Sequence, residues 1–391
     1  MGEWKKIRFG DLYAIPSRNG VSKPSRVRGA GYKMINMGEL FAHNWIFDIP
    51  MELVPLNDSE KANSQVVVDD LLFARQSMVA SGAGRCVIVR EVNELTVFES
   101  HLIRVRLDQA KALPLFYYYY FRSGCSNIAS IVQHVVQAGI RASDLSDLEV
   151  DLPDLPTQRR IAAVLGALDD KIEVNRKICE NLEAQAQALF KAWFVDFEPF
   201  GGKRPEGWKI YRLGDFFPVR TGKKDVNCTV NEGEYPFFSC AQDALRTNDY
   251  SFDGNAVLVA GNGDFNVKWY NGKFEAYQRT YVLMPRDPRL TCWLFYVIKY
   301  NLKHITQSAQ GSVIKFITKG HLENFEFFAP MDLEGSKLIQ KFQSIREFIA
   351  LKERESRALA AMRDALLPKL MSGEIAVEKV EVGDACASYA G

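Results

Sequence analysis

One run of apolar side chains sets the terms for the whole chain. Ile161, Leu165, Leu168, Ile172, Asn175, Cys179, Leu182, Ala186, Leu189 and Trp193 alternate at spacings of four and three. That is the heptad seam of a coiled coil, not the broader stripe of a surface helix. The same seam returns 177 residues later as Leu338, Phe342, Ile345, Ile349, Lys352, Ser356, Leu359, Arg363, Leu366 and Leu370. Even the polar interruption, Asn175 in one run and Lys352 in the other, falls at the matching step. Each seam is too apolar to stand in water alone, so the two should bury against one another.

The repeat extends beyond the helices. Pro153 and Pro330, which introduce them, are also 177 apart, as are Phe116, Tyr119 and Arg122 from Trp293, Tyr296 and Lys299. The opening string "WKKIRFGDL" (4–12) recurs as "WKIYRLGDF" (208–216) at an offset of 204, so the second domain is 27 residues shorter than the first. Outside the helical stretches the texture is short alternating segments broken by Gly, Pro and Asn, which read as strands and turns. One helical piece lies in each domain, "ALPLFYYYYFRSG" and "LTCWLFYVIKYN". The chain therefore divides into a first domain (1–152), a first long helix (153–200) opening on a Thr157 N-cap, a second domain (201–329), a second long helix (330–373) and a loose tail (374–391). The fold class is α+β: two mixed α/β domains in a pseudo-two-fold arrangement, joined by two long antiparallel coiled-coil helices. About 33 seam residues at ~1.5 Å each would make a rod of roughly 50 Å. Duplex DNA is itself two-fold symmetric, with major-groove faces recurring every ~34–36 Å, and a rigid spacer between unlike domains suits a target of two unlike halves.

Composition narrows the alternatives. With 47% hydrophobic and 25% charged residues the chain reads as a globular protein, and no apolar run is long enough to span a membrane. The opening "MGEWKKIRFGDLY" has no apolar core of a signal peptide, and Lys6 spoils a myristoylation start. Seven scattered cysteines, none in a CxxC spacing, fit reduced thiols in the cytoplasm, and no metal site is expected. Lys223 and Lys273 follow glycines without the rest of a P-loop. Pro153-Asp154 followed by Asp169-Asp170-Lys171 imitates a nuclease pattern, but its last three residues lie on the predicted coiled-coil helix. Net charge is only +1, yet residues 1–35 carry eight Lys/Arg against two acids and residues 203–230 seven against three. These are either two anion-facing surfaces or solvated loops.

The stretch "DLPDLPTQRRIAAVLGALDDKIEVNRKICENLEAQAQALFKAWFVDFEPF" (151–200) resembles the central region of specificity subunits of type I restriction-modification enzymes. "RDALLPKLMSGEI" (363–375) resembles the close of their second such region, and "GWKIYRLGD", "DLLFARQSMVASG" and "FYYYYFRSG" resemble their target-recognition domains. The resemblance implies a subunit without chemistry of its own that reads a bipartite, asymmetric DNA target, one half per domain. Its helical pair would set the spacer and dock two methyltransferase subunits that modify adenine N6 with S-adenosylmethionine. An ATP- and Mg-dependent restriction/translocase subunit would complete the assembly. No cofactor is expected in this chain and no membrane partner. The alternative on periodicity alone is a non-enzymatic coiled-coil scaffold that holds two partner-binding domains apart.

Particular residues follow from residue type and setting. The polar, glycine-containing loop "ARQSMVASGAGR" (74–85) follows a strand and offers Arg75, Gln76, Ser77 and Arg85 to base edges, unless it is only a solvated turn. Arg26 and Arg28 are phosphate-contact candidates, and Gln133, His134 and Gln137 form a second polar cluster. In the second domain "AGNGDFNVKWYNG" (260–272) supplies Asn262, Asn266 and Lys268, with Lys223 and Lys224 as phosphate contacts. The four tyrosines of "FYYYYFRSG" should be part core and part exposed, and Phe194 and Phe197 should pack internally. Asn175 and Lys352 should hold the register of the seam at some cost in stability. Asn175→Leu is therefore expected to preserve or raise the melting temperature. A clear loss in thermal denaturation would refute the register role.

Overall fold

Each copy of the opening string becomes the same small device. Lys5–Arg8 is a strand followed by a 3₁₀ turn, Phe9–Leu12, and Trp208–Arg212 is a strand followed by Leu213–Asp215. Each strand pairs antiparallel with the strand that leads into a long helix, Glu149–Leu152 in the first case and Glu326–Pro330 in the second. The glycine of the string sits at a close approach. A Cβ on Gly10 would lie 2.1 Å from Ser146 Oγ, and one on Gly214 would lie 3.1 Å from the carbonyl of Glu323. The short helices Ala142–Asp147 and Lys319–Glu323 supply those neighbours. The string thus closes each domain on itself where the chain passes into the long helix.

The computed structural model describes residues 4–78, 80–134, 138–307, 309, 315–333 and 336–377. They fall into two compact units that cut across the linear order. One holds the chain through Glu173 together with Ser356 onward, and the other is Val174–Glu355. Each unit therefore takes one domain and half of each long helix.

In the first unit a five-stranded sheet runs in the order Tyr13–Asn19, Leu102–Leu107, Leu71–Ala74, Cys86–Val89, Trp45–Ile46. A three-stranded sheet (Glu52–Val54, Tyr32–Ile35, Thr96–Phe98) lies beside it. Helix Pro114–Arg122 is buried on every side: all four tyrosines are at most 2% exposed. The expectation of partly exposed tyrosines is thereby corrected, because the hydroxyls find partners inside. Tyr117 donates to the carbonyl of Asp151, Tyr120 to its carboxylate, and Tyr118 accepts from Arg122. In the second unit a six-stranded sheet is centred on the hairpin Phe252–Ala260 and Val267–Ala276, with helix Thr291–Ile305 in the core beside it. Phe194 is buried there against Phe190, Trp208, Trp293 and Phe342, and Phe197 packs edge-on against Trp208.

The first long helix spans Leu155–Phe194 and the second Lys337–Met371. The start is corrected from Thr157: the carboxylate of Asp154 accepts from the Thr157 backbone N–H, so the aspartate takes the capping role. The first domain also holds three short helices, Met37–Ala42, Asp58–Ser64 and Ala142–Asp147, where the alternation pattern gave only strands and turns. Six or seven residues are too few for a 3.6-residue period to show.

None of the twenty seam positions is exposed. Asn175 is wholly buried, and neither its amide oxygen nor its amide nitrogen has a partner. Lys352 instead pairs with Glu355 on its own helix at 2.7 Å. Within each unit a domain tyrosine, an acid of the first long helix and an arginine of the second meet. Tyr119 donates to Asp169 at 2.7 Å while Arg363 pairs with the same carboxylate. Tyr296 donates to Glu183 at 3.0 Å, joined by Lys299 at 2.6 Å and Arg346 at 3.1 Å. Within the second unit the two helices are antiparallel, since Glu183 meets Arg346 while Cys179, four residues earlier, meets the carbonyl of Ile349, three residues later.

Removing one member of a buried pair strands the other, which costs roughly 3–5 kcal/mol. Arg363→Ala is expected to lose about 3 kcal/mol in urea denaturation, since among the described residues Asp169 then keeps only Tyr119. Arg346→Ala should cost less, about 1–2 kcal/mol, because Lys299 still neutralises Glu183. Equal losses in the two variants would contradict this account.

Candidate nucleic-acid interface

Two polar segments far apart in the first domain are brought together by a small three-stranded sheet. Gln76–Ser77 pairs with Ala138–Gly139, which pairs in turn with Gln133–His134. Gln76 stands opposite Gly139, and Gly139 opposite Gln133. Gln133 is exposed and donates to Asp144 at 3.0 Å. Arg75, Gln76 and Ser77 are half-buried, and Met78 at their tip is 92% exposed. The side chain of His134, and Gln137 altogether, lie outside the described residues.

Arg85 sits differently from its neighbours in the loop. It donates to the carbonyls of Leu40 and His43 and to Asn44 Oδ1, and lies over the ring of Phe41. Burial, and the nearby Arg122, lower its pKa from the ordinary arginine value. It ties the loop to the helix Met37–Ala42. Arg28 is likewise engaged, donating to the Lys23 carbonyl and to Glu52, both within 2.8 Å. Arg26 is exposed.

The second domain repeats this division of labour. Lys268 donates to the carbonyls of Ala241 and Ser239 and to Asn266 Oδ1, and burial lowers its pKa. Asn266 is 8% exposed and donates to the carbonyls of Cys240 and Asp264. Together they hold the 239–241 turn against the 262–266 turn. Asn262 is half-buried in a bridge to Phe316. Lys224 pairs with Asp249 at 2.8 Å, the contact that chiefly raises its pKa, and reaches the buried Glu275 at 3.8 Å. Lys223, beside it, is exposed.

The candidate site is therefore a set of polar turns and one small three-stranded sheet carried on a duplicated frame. The chain matches the family described as "Type I restriction modification DNA specificity domain" over residues 1–184 and 205–360. It belongs to that family. The type I restriction enzyme EcoDI specificity subunit of Escherichia coli is 38% identical over 181 residues, 45% of this chain and 40% of that one. The MjaIX specificity subunit of Methanocaldococcus jannaschii is 28% identical over 279 residues, 62% of this chain and 64% of its own. The matched stretches thus span less than two thirds of these two relatives. The putative MjaX specificity subunit of the same organism is 23% identical over 96% of this chain and 94% of its own. The crystal structure of the type I restriction-modification S subunit from M. genitalium has the same fold, with a TM-score of 0.63 over 94% of this chain and 96% of that one at 14% identity.

The contacts separate the loop residues experimentally. Arg85→Ala removes three hydrogen bonds from a cation and is expected to cost about 2 kcal/mol of stability. Gln76→Ala should change it by less than about 0.5 kcal/mol. Thermal denaturation of the two variants decides this: a neutral Arg85→Ala would remove the structural role.

Proposed function

We propose that this chain is the DNA-reading subunit of a type I restriction-modification assembly. One domain reads each half of a bipartite, asymmetric target. The observation that carries this reading is the contrast between frame and loops. The strand-and-turn string, the short helix against its glycine, the buried tyrosine and the long helix recur in both halves. The polar turns mounted on them do not: Arg75, Gln76 and Ser77 in one, Asn262 and its neighbours in the other. A repeated frame with unlike turns suits two unlike half-sites held at one spacing.

The paired helices set that spacing and dock two methyltransferase subunits. Phe348, Leu351 and Met362, between 44% and 55% exposed on the second long helix, support such a docking role. S-adenosylmethionine, ATP and Mg belong in this reading to the partner subunits, and this chain contributes recognition rather than chemistry. Its place is the cytoplasm, beside the DNA it reads. Among the described residues no helix is long and apolar enough to cross a membrane.

The test is a genome map of N6-methyladenine in cells expressing the partner subunits. Exchanging residues 74–85 for another loop should change one half of a split motif and leave the other half and the gap intact. Inserting one heptad in each long helix should lengthen the gap with both halves unchanged. A map indifferent to both changes would return the chain to the scaffold reading.

A further inference from the structure

The five-stranded sheet of the first unit carries an arrangement that folding alone does not favour. Arg18 and Arg104 stand directly opposite one another on neighbouring antiparallel strands. Arg106, two residues along, points to the same face. Like charges placed opposite across strands are destabilising. All three line one open pocket of about 520 Å³ with Ser17, Asn63 and Gln65.

The local counter-charge is incomplete. Asp70, wholly buried, grips Arg106 with both carboxylate oxygens at 2.7 Å. Arg104 is only 5% exposed, and its one acceptor among the described residues is the carbonyl of Gln65 at 3.2 Å. Its Nε is buried with no partner. Arg18 is exposed and has no partner among the described residues. Three guanidiniums thus share one carboxylate. A buried cationic donor without an acceptor is costly, and an oxyanion with several lone pairs in one plane matches the guanidinium fork.

We infer that this pocket is a phosphate-binding site, held by Arg18 and Arg104 while the Asp70 pair keeps Arg106 in place. Its occupant is a backbone phosphodiester of DNA, an assignment that rests on the function proposed above. Position favours that source. Arg104 lies beside Leu72, whereas the 74–85 loop leaves the same strand at Ala74. The pocket is therefore displaced by two or three residues, roughly 7–10 Å, from the root of the base-reading turn. A cationic site offset in this way positions the duplex rather than reading its bases. None of the candidates taken from charge or loop pattern includes these residues.

The experiment uses the full chain and the variant Arg18→Gln, whose exposed side chain has no structural partner to lose. First, inorganic phosphate is titrated against chloride of equal ionic strength while the melting temperature is read. The wild type should rise with phosphate and Arg18→Gln should not; an equal rise in both, or none in the wild type, overturns the site. Second, DNA affinity of the assembled complex is measured against salt. Arg18→Gln should flatten the log–log slope by about one unit and leave target preference unchanged. An unchanged slope beside a lost phosphate effect overturns DNA as the occupant. A wild-type complex that binds no DNA defeats the function proposed above, while the phosphate titration still judges the pocket alone.

Discussion

Everything else in this protein depends on which helix face meets which. Two carboxylates of the first long helix, Asp169 and Glu183, meet two arginines of the second, Arg363 and Arg346. By the 177-residue repeat, Arg363 corresponds to Ala186 and Arg346 to Asp169. A first helix paired with its own kind in the same register would set Glu183 against Asp169. A second helix paired likewise would set Arg363 against Arg346. Seams that are near copies in apolar pattern are therefore distinguished by charge, and only the unlike pairing neutralises both sites. Because Tyr119 and Tyr296 bond the same carboxylates, each domain is tied to the pairing as well.

The same economy governs the domains. The repeated string closes each domain at the point where a strand hands over to a long helix, and at Gly10 and Gly214 a neighbouring short helix approaches so closely that an added side chain would crowd it. These constraints act on the frame alone. The turns that carry Gln76 and Asn262 stand outside them and are free to differ. The frame is thus held by contacts that recur in both halves, whereas the polar segments are not.

Much of the frame was legible from residues alone. A heptad seam declares its buried face by spacing, so all twenty seam positions proved sheltered. Charge was less legible. Arg28, Arg85 and Lys268 are DNA-contact candidates by composition, and the fold also gives each of them partners in its own domain. Their partners, Glu52, the Leu40 carbonyl and the Ala241 carbonyl, lie 24, 45 and 27 residues away in sequence, beyond any local pattern. Arg18 and Arg104 are the converse case. They are 86 residues apart and unremarkable in their own strands, and only the pairing register sets them face to face.

The sequence by itself therefore determined the duplicated plan, the two long helices and their buried stripe, since periodicity and offset are properties of the string. Tertiary structure alone decided which charges face inward, which tyrosines are wholly enclosed and which arginines share a pocket. The physical reason is range: a period is read between residues three and four apart, whereas hydrogen bonds and ion pairs join whatever the fold brings within about 3 Å.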